Sequence, residues 1–182
     1  MLKISLCNYI AGAGKDSVAD YLVEKHGFQK VSLSEGIYEI AYEYYGIPRG
    51  TKPPRELLHH IAESLRKYDV MLWIKNTLRK VEEMGVDRVV ISDTRKLIEY
   101  AYLEEMGWNN VMVYCDPKVA LERIEKRDGV SSEDNEELLM NSKLENQLRP
   151  LKDYMKTFDN SDDFEEVKKE VDAYIKFLEA SS

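Results

Sequence analysis

The chain has 182 residues, a formal net charge of −8, 43% hydrophobic residues and 33% charged ones. That is enough chain for one globular domain with a buried core. The acidic balance speaks against nucleic acid as a partner, since neutralising strand phosphates needs a basic face, and no apolar run exceeds five residues, too short to span a bilayer.

"MLKISLC" enters a strand pattern at once, without a secretory apolar region, so a cytoplasmic location is expected. Cys7 and Cys115 each end a short apolar run and are expected as buried, reduced thiols. The next stretch, "CNYIAGAGKDS" (7–17), is close to the phosphate-gripping pattern G-x-x-x-x-G-K-[ST]. Gly14 and Lys15 match it; Tyr9 stands at its first glycine and Asp16 at its hydroxyl position. Such a loop works by geometry. A strand ends, glycines let the backbone curl, and amides ahead of a helix N-terminus converge on an anion while the lysine reaches the outer phosphates. Residues Ala11, Gly12, Ala13, Gly14, Lys15, Asp16 and Ser17 are therefore the expected phosphate cradle. Tyr9 predicts an ordinary backbone conformation at that position, with its ring against the nucleotide. Asp16, or Ser17 beside it, is the expected magnesium contact.

Further along, strands are predicted at 29–33, 88–92, 110–115 and, more weakly, 154–158, each a short apolar run with polar bounds. Helices are predicted at 14–26, 117–127, about 134–148, and over the C-terminal stretch where Phe164, Val167, Val171, Ile175 and Leu178 recur at helical spacing. A helical insertion covers 35–84, broken at "GIPRGTKPP" by its prolines. A polar, lid-like loop is expected at about 128–136. Strands alternating with helices mean an α/β fold on a parallel sheet.

Ligands of such a sheet gather beyond the carboxyl ends of its strands. Asp93 and Arg95 stand just past "VVIS", so Asp93 is expected to help hold magnesium and Arg95 a substrate phosphate; a helix N-cap is the alternative for Asp93. Arg123 and Arg127, four apart, share one helix face before the lid. Tyr38, Tyr42 and Tyr45 could stack on a base or merely edge a core. His59, His60 and Glu63 lack a third ligand nearby, so no metal is expected there.

Taken together, "GAGKDSVADYLVEKHGFQKVSLSEGIYEIA", "RELLHHIAESLRKYDVMLWI" and "VVISDTR" resemble phage-type deoxynucleoside monophosphate kinases, within the P-loop nucleoside monophosphate kinase superfamily that includes dephospho-CoA kinase. The resemblance implies a P-loop three-layer sandwich, a five-stranded parallel sheet in the order 2-3-1-4-5, and a single kinase domain over 1–182. It implies ATP and Mg²⁺, with Lys15, Asp93, Arg95, Arg123 and Arg127 around the transferring phosphoryl group. It assigns the 35–84 insertion to the acceptor, with Glu35, Tyr38, Arg55 and Arg66 as contacts. The expected partner is a small nucleotide, bound by a monomer or homodimer. Two alternatives stay open: a kinase for another acceptor, such as dephospho-CoA or a hydroxymethylated pyrimidine, and a nucleotide-binding regulatory protein without turnover.

Overall fold

The structure is a computed structural model that describes residues 1–129 and 145–181. Five strands, β1 (Leu2–Cys7), β2 (Gln29–Val31), β3 (Arg88–Thr94), β4 (Asn109–Tyr114) and β5 (Lys156–Asp159), form one sheet in the order β2-β3-β1-β4-β5. The β1–β3, β1–β4 and β4–β5 pairs are parallel, in the register Ile4↔Val90, Leu6↔Val111 and Val113↔Phe158. The predicted sheet and strand order are therefore present. β2 is shorter than expected, and β5 starts later because Tyr154 ends a 3₁₀ helix, Glu145–Tyr154.

The chain divides into two compact units, Met1–Lys30 with Asp87–Ser182, and Val31–Val86. In the first, α1 (Lys15–His26), α5 (Leu97–Glu105), α6 (Pro117–Asp128), the 3₁₀ helix and α7 (Phe164–Ala180) accompany the sheet. Successive strand side chains point to opposite faces. Leu6, Val111, Val113 and Phe158 bury with Val18, Leu22, Val167, Val171 and Ile175, while Cys7 and Met112 bury with Leu148 and the half-buried Tyr100. Cover on both faces explains why β1 is continuously buried from Ile4 to Cys7 instead of alternating. The four apolar positions expected on the C-terminal helix after Phe164 are its buried ones, and Asp163 caps it by accepting the Glu165 N–H at 3.0 Å.

The second unit holds α2 (Glu35–Tyr44), α3 (Arg55–Arg66) and α4 (Leu72–Met84) around Ile37, Ala41, Ile61, Ala62 and Trp73. Its α2–α3 break falls where the prolines predict it. Trp73 is anchored by its indole N–H, which donates to the Ala62 carbonyl at 3.3 Å. The lid expected at 128–136 lies outside the described residues beyond Gly129, as do residues 134–144 of the helix expected at 134–148. No helix of the described residues is long and apolar enough to cross a membrane.

Candidate active site

β1 lies between β3 and β4, so the chain leaves its carboxyl end at the centre of the sheet. There the Asn8 side-chain amide donates to the Ile10 carbonyl at 2.7 Å and closes the first turn of the loop. Gly12 and Gly14 follow with φ of +81° and +85°, a left-handed conformation that side chains resist. Tyr9 needs no such freedom, since no non-glycine residue among those described has positive φ. Its ring packs against Tyr114, with centroids 6.0 Å apart. Burial, followed by the influence of Tyr114, pushes its phenol up to about 12, so it stays neutral.

Gly14 accepts the Val18 N–H at 3.2 Å, which starts α1. Having no side chain, it leaves the first amides of the helix without a side-chain cap. The positive end of the helix dipole thus faces the loop. Lys15 sits at this end, only 8% exposed. Burial holds its ammonium below the ordinary lysine value; Asp16 opposes that shift, Arg95 adds to it and Asp93 opposes it. These influences show that the structure brings Lys15, Asp16, Asp93 and Arg95 together from α1 and the end of β3. Two cations and two carboxylates thus meet beside a helix N-terminus, with the buried ammonium of Lys15 at the helix end itself.

Asp16 is two-thirds exposed and lies 3.4 Å from Lys15 Nζ and 3.5 Å from Lys30 Nζ. Ser17 is on the outer face of α1, where it lines a groove of about 460 Å³ with Asp20, Tyr21, Glu24, Lys25, Phe164 and Lys168. Among the described residues, no three His, Cys, Asp or Glu side chains converge on a metal position. The oxygen donors Asp16 and Asp93 nevertheless fit magnesium, which commonly takes one or two carboxylates and completes its octahedron with water and substrate phosphates.

Asp93 falls within β3, which runs to Thr94 and pairs it with Cys7 across a register shift. α5 starts only at Leu97, so the N-cap alternative for Asp93 fails. Glu99 does that work. Buried, it accepts the backbone N–H groups of Arg95 and Lys96, both at 3.0 Å, and so holds the turn that presents Arg95. Glu99→Ala leaves both donors without that partner and is expected to cost about 1–3 kcal/mol. Glu99→Gln, whose amide oxygen still accepts, should recover most of it; urea unfolding of both variants is the check.

α6 closes the loop from another side. Asp116 caps it by accepting the Lys118 N–H at 2.9 Å, and Pro117 fits its first turn. A side chain on Gly12 would meet the Ala120 carbonyl oxygen at 2.7 Å, so glycine is required for this approach. Arg123 donates to Cys115 Sγ at 3.4 Å, and its guanidinium is close to Gly14. Arg127 stands one turn further on, exposed. Cys7 and Cys115 are both free and buried, as expected.

The acceptor-side candidates belong to the second unit. Glu35 is 3.6 Å from Lys80, which also bonds Glu39. Tyr38 is half-buried beside Tyr42, Arg55 begins α3 exposed, and Arg66 pairs with Glu63 at 2.6 Å. Sequence reasoning missed Glu99 and Asn160, whose side chain donates to the Ala13 carbonyl at 2.9 Å; Glu99 stands at capping-box spacing from Lys96, a signal that could have found it, while Asn160 carries no local signal of its role.

A curated relative, Uncharacterized protein ORF77 of Ictalurid herpesvirus 1 (strain Auburn), is 27% identical over 106 residues, which cover 56% of this chain. The match spans 46% of that relative, about half its length. Shikimate kinase from Bacteroides thetaiotaomicron superposes with a TM-score of 0.60 at 17% identity over 98% of both chains. Dephospho-CoA kinase from Campylobacter jejuni does so with a TM-score of 0.58 at 16% identity over 96% of both. The fold is the α/β fold of P-loop kinases. The AAA domain family model matches residues 10–142, from the glycine loop onward across most of the chain, and the chain belongs to that family.

Proposed function

We propose that this chain is a phosphotransferase that moves the terminal phosphoryl group of ATP, with Mg²⁺, to a small nucleotide, and that the acceptor is a deoxynucleoside monophosphate. The observation that carries the reading is Lys15: a desolvated ammonium at an uncapped helix N-terminus, behind two left-handed glycines, with a second cation nearby. Burial still penalises this ammonium although exposed Asp16 pairs with it, and the phosphates of a nucleotide would add to that compensation. Kinases among the superposed structures agree with it.

Phosphoryl transfer asks for positioning and charge neutralisation more than for a covalent nucleophile. In this reading the amides of Ala11–Ser17 hold the phosphate tail and Lys15 meets its outer oxygens. Arg95 grips the acceptor phosphate, and Arg123 and Arg127 neutralise charge that develops in transfer. Asp16 and Asp93 hold Mg²⁺, which when bound supplies charge neutralisation between phosphates. A monophosphate oxygen is already ionised, so Glu35 is needed as no base. The test is ADP release from ATP against ribo- and deoxynucleoside monophosphates and dephospho-CoA. Release dependent on a deoxynucleoside monophosphate is expected; release only with a different acceptor, or none, overturns the assignment.

Asp16, placed at the hydroxyl position and ion-paired with Lys15, favours a second reading: a nucleotide-binding regulatory protein without turnover. ATP binding with no acceptor-dependent ADP release is its signature.

A further inference from the structure

We propose that Asn160, immediately after β5, is a positioning residue of the phosphate loop; this rests on reading that loop as an anion cradle. Asn160 is 4% exposed. Its backbone N–H donates to the Tyr114 carbonyl at 2.8 Å, which extends the β4–β5 ladder by one residue and holds the residue against the sheet. From there its side-chain N–H donates to the Ala13 carbonyl at 2.9 Å, across 147 residues of sequence. A Cβ on Gly14 would overlap the same amide nitrogen, so the loop can approach Asn160 this closely only with glycine at that position. The side-chain oxygen of Asn160 is buried with no hydrogen-bond partner among the described residues, so the tie to the loop runs through the donor alone.

The consequence follows from peptide geometry. In a planar trans unit the C=O and N–H point in opposite directions. A bond that draws the Ala13 carbonyl toward β5 therefore turns the Gly14 N–H away from β5, toward the loop interior. Released, the same peptide could flip and present a carbonyl oxygen, the negative end of its dipole, to an anion. Asn160 does not touch the phosphate. It holds one of the donors that would.

The test uses full-length protein with Asn160→Asp, nearly isosteric but with no donor, and Asn160→Ser, smaller and uncharged, in case a buried carboxylate prevents folding. ADP is titrated by calorimetry while the amide resonances are followed. In wild type the Gly14 amide proton should shift on ADP addition. In both variants affinity should fall about tenfold or more, the scale set by losing one hydrogen bond to a buried group, and the Gly14 shift should be lost while core resonances stay in place. A merely structural role would lower the melting temperature without separating Gly14 from the other loop amides. Wild-type ADP binding with variants within twofold of it overturns the proposal. If wild type binds no adenine nucleotide, the functional reading falls separately. The clamp is then judged by hydrogen exchange at Gly14 and Lys15, which both variants must accelerate, and unchanged exchange overturns it.

Discussion

Lys15→Met is expected to abolish phosphoryl transfer while leaving the fold as stable as before, or slightly more so. Activity should fall at least about a thousandfold, because phosphoryl transfer depends on charge placed ahead of the reaction in a site that excludes water. Stability should not fall, since methionine keeps an unbranched chain of similar length and removes an ammonium that burial penalises. The pH dependence gives an independent check. Burial sets the folded pKa of Lys15 below the unfolded value of 10.5. Between the lowered folded value and 10.5 the unfolded chain binds more protons, so wild-type stability should rise with pH across that window. The methionine variant lacks this contribution. ATP affinity runs the other way and should weaken as pH climbs through the folded pKa, because the neutral amine no longer attracts phosphate. ADP release assays and thermal unfolding between neutral and alkaline pH test both sides. Turnover near the wild-type level in Lys15→Met, or a large loss of its stability, overturns the role given to this residue.

What the sequence made legible divides by the range of the interactions involved. "RVVIS" and "NVMVYC" read as strands because both faces of their sheet are covered, which turns an alternating pattern into a short apolar run. Gly12, Gly14 and Lys15 were legible because a phosphate loop is local, and its chemistry is written in consecutive residues. Tyr9 was legible only in its backbone. That its ring turns to Tyr114 depends on β4, over a hundred residues away. Asn160 stands in "NSDD", which has the composition of a helix cap; Asp163 makes the cap, while Asn160 turns to Ala13. Glu99 is buried and holds the Arg95 turn by accepting the N–H groups three and four residues before it, a capping-box spacing that the sequence does display. Asp93 was open to a capping role until the start of α5 was known. Asn160, which acts on a loop 147 residues away, carries no spacing that sequence can display.

Gly12→Ala is expected to cost the protein about 2–4 kcal/mol, the sum of a left-handed alanine and a forced shift of packed backbone, and to weaken ADP binding beyond detection. At φ +81° an alanine is strained wherever it stands, but strain is the smaller part. The new Cβ would lie 2.7 Å from the Ala120 carbonyl oxygen and 3.1 Å from Ile124 Cγ1. Ile124 is a side chain and can rotate. The Ala120 carbonyl belongs to α6 and moves only with its helix, so either the loop backs away or α6 does. α6 also carries Arg123 and Arg127, so either movement separates the cradle from the guanidiniums assigned to it. Gly27→Ala is the control that divides the two costs. Gly27 has φ +68° and open space where a Cβ would go, so it should lose only about 1–2 kcal/mol and bind ADP as wild type does. Urea unfolding and ADP calorimetry on both variants decide the matter: if Gly12→Ala costs no more than Gly27→Ala and binds ADP equally well, contact between the loop and α6 is not what holds the cradle in shape.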